Sequence, residues 1–324
     1  MDPVLEVKNL TKKFPVREGI LQRVKHHVHA VSDVSLKIYE KDTLGLVGES
    51  GSGKSTLGRL IMQLIKPDKG QVKFQNQELT TLSFNKIKKI RKGMQMIFQD
   101  PMDSLNSRFT IEQIISEPLE ISTSNSRLKN IKKVHELLDV VGLTKSILNR
   151  YPHEFSGGQR QRIGIARSLA LSPKLIIADE PVSALDVSIQ AQILNLLVDL
   201  QKEFGVSYLF IAHDIHVIRF ISKRIAVMYL GRIVEITEST RIKNNPKHPY
   251  TKALFLSVPY PDPSTKQDFN AIQGEIPSML NPPKGCSFHT RCPNVMEICK
   301  IDLPLLRFID NEKKHQVACH LKFE

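Results

Sequence analysis

Tryptophan is absent from this chain of 324 residues, and aromatic residues of every kind make up 6% of it. A basic surface without interleaved aromatic rings lacks the stacking platforms used to hold single-stranded nucleic acid. Nucleic acid is therefore not expected as a partner. Cysteine occurs four times, always beyond residue 285, which excludes a disulfide framework for most of the chain and fits a reducing compartment. No apolar run approaches the roughly 18–20 residues that a helix needs to cross a bilayer. The most apolar stretches, Leu175–Ala178 and Tyr208–Ala212, are strand-sized. The amino terminus enters mixed, charged sequence at once, with no basic-then-apolar leader. The expectation is a cytoplasmic chain whose contact with a membrane comes through a partner.

What is present fits a globular protein: 41% hydrophobic and 24% charged residues. The length suits one large domain with a smaller appendage. Net charge is +13, from 46 Lys and Arg against 33 Asp and Glu. That excess could steer phosphates, favour an anionic membrane surface or attract nucleic acid. The basic residues are scattered, with clusters at Lys86–Lys92 and Lys129–Lys133, so a solvated basic surface near a membrane is the preferred reading.

Alternating apolar residues predict an edge strand over 4–10 and another strand over 28–39, with a surface loop from Pro15 to His29 between them. Thr43–Val47 reads as a buried strand, followed by a glycine-rich turn and a helix over 56–65. Further strands are expected at 94–98, 175–178, 207–212, 225–229 and 233–236. Helices are expected over 110–142, broken by Pro118 and the polar stretch 122–126, over 160–171, and over 188–204 with Ile189, Ile193, Leu197, Leu200 and Phe204 facing inward. Alternating strands and helices argue for an α/β fold with a mostly parallel sheet. Prolines cluster after residue 243, which sets the expected division: a domain at 1–243 and a small, loop-rich extension at 244–324.

Gly48, Glu49, Ser50, Gly51, Ser52, Gly53, Lys54 and Ser55 fit G-x-x-x-x-G-K-[ST], with a strand before and a helix after. Glycines let backbone N–H groups surround phosphates, and the helix start adds a positive dipole end. Lys54 is expected on the β- and γ-phosphates, Ser55 on Mg2+ and Thr56 on the α-phosphate. The apolar strand ending in Asp179 and Glu180 places adjacent carboxylates at the carboxyl edge of the sheet. Asp179 is the expected metal-side group, and Glu180 the acceptor of a proton from attacking water.

These two sites are common to many ATPases, but Phe155-Ser156-Gly157-Gly158-Gln159 resembles the signature motif of ABC ATPases, with Phe in place of the usual leading Leu. The resemblance implies a P-loop ABC ATPase: a RecA-like core, a helical signature subdomain at about 100–170 and an antiparallel β subdomain. It implies that Ser156, Gly157, Gly158 and Gln159 of one subunit close on ATP held by another. It also makes Gln99 the γ-phosphate-sensing and metal-side residue, Ser183–Asp186 the loop that meets the opposite subunit, and His213 the switch histidine. Phe14 sits where the family stacks an aromatic ring on adenine; a core position is the other reading.

Four longer segments look like the oligopeptide/dipeptide permease ATPases: Gly48–Gly51, Met96–Asn106, Tyr151–Arg167 and Asp179–Gln192. His248–Leu254 and the proline-rich tail are similar to the extension of that family, most like the F-type subunit of an oligopeptide permease. The implied function is ATP hydrolysis that energises import of oligopeptides or dipeptides, with a nickel or opine importer as the alternative and a soluble ABC ATPase acting on nucleic acid or ribosomes behind it. The implied partners are a paralogous ATPase in a heterodimer, two transmembrane permease subunits and an extracytoplasmic peptide-binding protein, with the chain peripheral on the cytoplasmic face.

Cys286, Cys292, Cys299 and Cys319 are spaced C-x5-C-x6-C-x19-C, with His289 and His320 nearby. Four thiols in a small, weakly apolar module suggest a metal staple, a [4Fe–4S] cluster first and Zn2+ second. Reduced cysteines packed as small apolar residues are the other reading.

Overall fold

The computed structural model describes residues 2–19, 23–256 and 274–323. The chain opens with β1 (Leu5–Glu18) and β2 (Arg23–Ile38), then β3 (Thr43–Val47), α1 (Lys54–Ile61), β4 (Lys69–Phe74), β5 (Gln77–Glu78), α2 (Phe84–Ile90) and β6 (Met94–Ile97). A helical stretch follows: α3 (Pro101–Ser104), α4 (Ile111–Ser122), α5 (Arg127–Val140) and α6 (Gly157–Leu169). Strand and helix then alternate through β7 (Leu175–Asp179), α7 (Val187–Phe204), β8 (Ser207–Ile211) and α8 (Ile215–Ile221) to the hairpin β9 (Arg224–Tyr229) and β10 (Arg232–Glu238). The described residues of the tail form α9 (Ser239–Asn244), α10 (Pro249–Leu256), α11 (Glu297–Ile301), β11 (Arg307–Phe308) and β12 (Gln316–Val317).

Two sheets organise these elements. The larger has the order β11-β12-β10-β9-β3-β8-β7-β6, with β9, β3, β8, β7 and β6 parallel and the rest antiparallel. Every residue of β3, β7 and β8 is buried, because a parallel sheet covered on both faces needs continuous apolar runs rather than alternation. The smaller sheet is antiparallel, in the order β2-β1-β4-β5. Its inner residues, among them Leu5, Val7, Val31 and Ile38, share one core with α1 residues Leu57, Leu60 and Ile61. The helices α4, α5 and α6 pack on a second core through Ile114, Leu138 and Ile163.

Four local expectations are corrected. β1 is an interior strand, paired with β2 on one side and β4 on the other. The stretch from Pro15 to His29 is not a loop: its ends form the arms of the β1–β2 ribbon, with Pro15 opposite His27. β4 stops pairing at Thr11, so Pro15 lies where one edge of β1 is open and a missing N–H is tolerated. Pro118 does not end α4, which runs on to Ser122; a Thr110–Gln113 capping box and buried Ile111, Ile115 and Leu119 hold it. The break comes at 123–126, after which the Ser126 hydroxyl caps α5. In α7 the buried face is Ile193, Leu194, Leu197 and Leu200, while Ile189 is half-buried and Phe204 is exposed.

The tail is joined to the main sheet. Glu235 and Ile236 of β10 pair with Val317 and Gln316 of β12. Glu235 is fully buried, and its carboxylate accepts bonds from the Lys247 N–H (2.9 Å), the His248 N–H (2.8 Å) and His315 Nε2 (2.7 Å). Burial alone would raise its pKa, but these donors outweigh it and the pKa is lowered. Tyr229, Tyr250 and Phe288 stack around the same junction, with centroids 4.6–5.4 Å apart.

Candidate functional site

The glycine-rich loop expected to hold phosphate leaves β3 at Gly48 and enters α1 at Lys54. Its glycines answer to close backbone neighbours. A Cβ at Gly48 would lie 2.1 Å from the Met228 carbonyl oxygen, and one at Gly53 2.1 Å from that of Ala30. Gly53 is also the left-handed N-cap of α1, with φ of 101°. The Gly231 N–H donates to the Ser52 carbonyl at 2.9 Å, so the β9–β10 turn supports the loop from below. Lys54 is 4% exposed; its Nζ donates to the carbonyls of Gly48 (2.8 Å) and Glu49 (3.0 Å). Burial pushes the Lys54 pKa down, against the pull of Glu180, Asp179 and Glu49. Ser50 and Gly51 are exposed and Thr56 half-buried, on the open side of the loop and the first turn of α1.

The acidic pair sits at the carboxyl end of β7. Asp179 is 3% exposed and accepts the Ser55 hydroxyl at 2.8 Å. Burial raises its pKa, with Ser55, Arg59 and Lys54 opposing. A hydroxyl and a carboxylate so joined fit the donor set of Mg2+, a hard cation that takes oxygen ligands; Ser55 and Asp179 would hold it, while Gln99, the third expected group, is bonded to Glu180. Glu180 has φ of 48°, a left-handed conformation that costs a non-glycine residue about 1–3 kcal/mol. Its backbone is held there by an N–H bond to Ile211 (2.9 Å) and by the Ser183 hydroxyl on its carbonyl (3.1 Å). Its Oε2 accepts from Gln99 Nε2 at 3.2 Å and lies 3.1 Å from His213 Nδ1. Two residues that follow the ends of β6 and β8 therefore converge on one carboxylate oxygen at the end of β7. Such a group can orient water and take its proton.

The Ser156–Gln159 segment is placed elsewhere. Ser156 caps α6 through a reciprocal pair: its N–H donates to Gln159 Oε1 at 3.1 Å, and its hydroxyl accepts the Gln159 N–H at 3.4 Å. Gly157 approaches Leu185, and a Cβ on Gly158 would come within 2.5 Å of Ile189 Cγ2. Ser156 and Gln159 are exposed while Phe155 is buried under the Arg150 guanidinium, 4.6 Å from its ring. The contacts of this helix start lie with Leu185 and Ile189, not with the phosphate loop of the same chain. Phe14 is half-buried on the hairpin, 5.6 Å beneath the Lys12 ammonium, and lies outside both apolar cores. Its reading as a core residue is thereby corrected.

The expected metal on the tail is not supported. Cys286, Cys299 and Cys319 are buried free thiols and Cys292 is half-buried. Burial first, then mutual repulsion, raises the pKa of Cys286 to about 11. Yet among the described residues no three His, Cys, Asp or Glu side chains are arranged to hold a metal ion. His289 Nδ1 is bonded to the Cys286 carbonyl and His320 Nε2 to the Asp302 carbonyl. The described residues give no support for a [4Fe–4S] cluster or Zn2+ at these cysteines.

Two contacts to the phosphate loop have no signal in the sequence: the Glu49 N–H donates to Tyr250 Oη at 3.0 Å, and Arg291 pairs with the Glu49 carboxylate. Their partners stand 201 and 242 residues away, beyond any local pattern.

Among known families, the description "ABC transporter" matches residues 31–183, and "Oligopeptide/dipeptide transporter, C-terminal region" matches 234–299. The chain is 52% identical over 323 residues to the oligopeptide transport ATP-binding protein AppF of Bacillus subtilis (strain 168), covering 99% of this chain and 98% of that one. It is 48% identical to the probable peptide ABC transporter ATP-binding protein y4tS of Sinorhizobium fredii, covering 99% and 90%. Among solved structures it resembles the dimeric ATP-binding cassette MJ0796 in a post-hydrolysis state bound to ADP and Pi, at 32% identity and a TM-score of 0.64, over 72% of this chain and 98% of that one. It also resembles cbiO1 from Clostridium perfringens, part of the ABC transporter complex cbiONQ, at 27% identity and a TM-score of 0.64, over 75% and 91%.

Proposed function

The chain belongs to the ABC transporter family and is an ATPase of it, and on that premise we propose that it energises import of oligopeptides or dipeptides across a membrane. The observation that carries the catalytic part is the convergence of Gln99 and His213 on Glu180 beside the Ser55–Asp179 bond. The cargo class rests on relatives named for peptide or oligopeptide transport. Those names do not favour the nickel or opine alternative.

In this reading the amides of Gly51–Ser55, the Lys54 ammonium and Thr56 bind the phosphates, and Phe14 stacks on adenine. Oxygen atoms of ATP take over the bonds that Lys54 makes to Gly48 and Glu49. Ser55, Asp179 and Gln99 are the groups for Mg2+, which when bound offsets negative charge on the phosphates. Glu180 accepts a proton from water while His213 and Gln99 hold that water in line with the γ-phosphate. The exposed helix start Ser156–Gln159 serves ATP on a second, paralogous ATPase, since its own phosphate loop is elsewhere. A pair of transmembrane permease subunits and an extracytoplasmic peptide-binding protein complete the importer. The chain is then peripheral on the cytoplasmic face; no helix among the described residues is long and apolar enough to cross a membrane. The division into a cassette at 1–243 and an extension at 244–324 is kept, and no step runs through a metal on the cysteines.

The test is uptake. Deleting the gene in its host should abolish uptake of labelled di- and oligopeptides. The wild-type gene should restore it and Glu180→Gln should not. Intact peptide uptake with lost nickel uptake would reject the peptide assignment.

A further inference from the structure

The extension grips the phosphate loop at a point the proposed chemistry does not use. The Arg291 side chain is 5% exposed. Its Nη1 donates to Glu49 Oε2 at 3.0 Å and its Nη2 to Glu49 Oε1 at 3.2 Å, a two-pronged pair. Nη1 also reaches Tyr229 Oη at 3.3 Å. A planar guanidinium held this way fixes orientation as well as distance. The main chain of Glu49 is pinned too, by the bond from its N–H to Tyr250 Oη. In turn the Glu49 carbonyl accepts from the Ser52 N–H at 3.2 Å and from Lys54 Nζ. Glu49 is thus tied outward to the tail and inward to the groups that would meet phosphate.

We propose that Arg291 is a positioning residue for ATP binding: through Glu49 it holds the first turn of the phosphate loop in its binding shape and links packing of the tail to nucleotide affinity. This rests on the reading of Gly48–Thr56 as the phosphate site. A loop with glycines at 48, 51 and 53 is weakly determined by its own sequence; Gly51 has φ of 74° and no neighbour within 4 Å of a Cβ position. A tether at residue 49 keeps the competent shape populated. Without it the apparent dissociation constant rises in proportion to the lost population. Arg291 touches no reacting atom, so turnover of the bound state is unaffected. By linkage, ATP must also stabilise the tail.

The full chain is titrated with a fluorescent ATP analogue, and steady-state hydrolysis is measured beside it for wild type, Arg291→Ala, Arg291→Lys, Glu49→Gln and the double variant Glu49→Gln/Arg291→Ala. The expected result is a rise in dissociation constant and KM of about ten-fold for Arg291→Ala with kcat held within about two-fold. Arg291→Lys should fall between, and the double variant should be no worse than Arg291→Ala. ATP should protect the tail from trypsin in wild type and not in Arg291→Ala. Thermal melting identifies any variant that fails to fold, in which case Arg291→Lys decides. An unchanged dissociation constant, or losses that multiply in the double variant, overturns the proposal. Wild type that fails to bind the analogue removes the phosphate-site reading itself, whereas normal wild-type binding with indifferent Arg291 variants removes only this tether.

Discussion

Glu180 combines a strained backbone with a side chain shared between Gln99 and His213. Its replacement by Gln keeps the shape and removes the proposed proton acceptor. Hydrolysis by Glu180→Gln should fall about 10²–10⁴-fold, the usual worth of a general base, while equilibrium binding of ATP stays near wild type; phosphate release and nucleotide titration read the two separately. Gly158 makes a different point. A methyl group there meets Ile189 Cγ2 at 2.5 Å, so Gly158→Ala should cost about 1–3 kcal/mol by overpacking, seen as a lower melting temperature. The strand–loop–helix around Gly48–Ser55 and the Asp179–Glu180 pair at the end of β7 were legible because each is a contiguous run, and the fold brings them together at the Ser55–Asp179 bond. Arg291 was not, since nothing within its own neighbourhood in the chain marks its partner as Glu49. The cysteines show the converse: their number suggested a metal, and no metal-holding group is found among the described residues.

Elements were legible where pattern and burial agree. The buried strands β3, β7 and β8 read as apolar runs, and α7 ends at Gly205, whose φ of 65° favours a residue without a side chain. The β1–β2 ribbon was missed because its outer arms are exposed and carry Pro15, His26, His27 and several Lys and Arg residues. Hydrogen bonding to a neighbour, not apolar alternation, makes them strands. The junction of β10 with the tail depends on Glu235. Glu235→Ala would leave the Lys247 and His248 N–H groups without their acceptor in a buried place, at about 1–3 kcal/mol each. Denaturant unfolding should show that loss, and proteolysis should release the tail first.

The junction also sets how the whole molecule responds to acid. Complete burial lowers the pKa of His248 to about 4, against the opposing pull of Glu235. The unfolded chain, with an ordinary histidine near 6.5, takes up a proton before the folded one. Stability is therefore complete above about pH 6.5 and declines as pH falls toward 4. Glu235, with its pKa lowered, adds a further loss in stronger acid. Melting temperatures between pH 4 and 7 should trace this slope, and His248→Gln should flatten it. The proposed pairing with a paralogous ATPase is tested with Glu180→Gln: mixed with such a partner and ATP, it should elute as a stable dimer that wild type does not hold.

The pairing of β10 with β12 also bears on the order in which the protein is made. Glu235 and His315 lie 80 positions apart, so a growing polypeptide presents β10 long before the strand that covers it emerges. Throughout that interval a strand with free N–H and C=O groups along one edge faces solvent, a template for joining other nascent chains. A message cut short after residue 243 would yield a cassette that keeps this interval open indefinitely. Its catalytic parts would be complete, and its fate would be decided by chaperones and proteases instead of by chemistry.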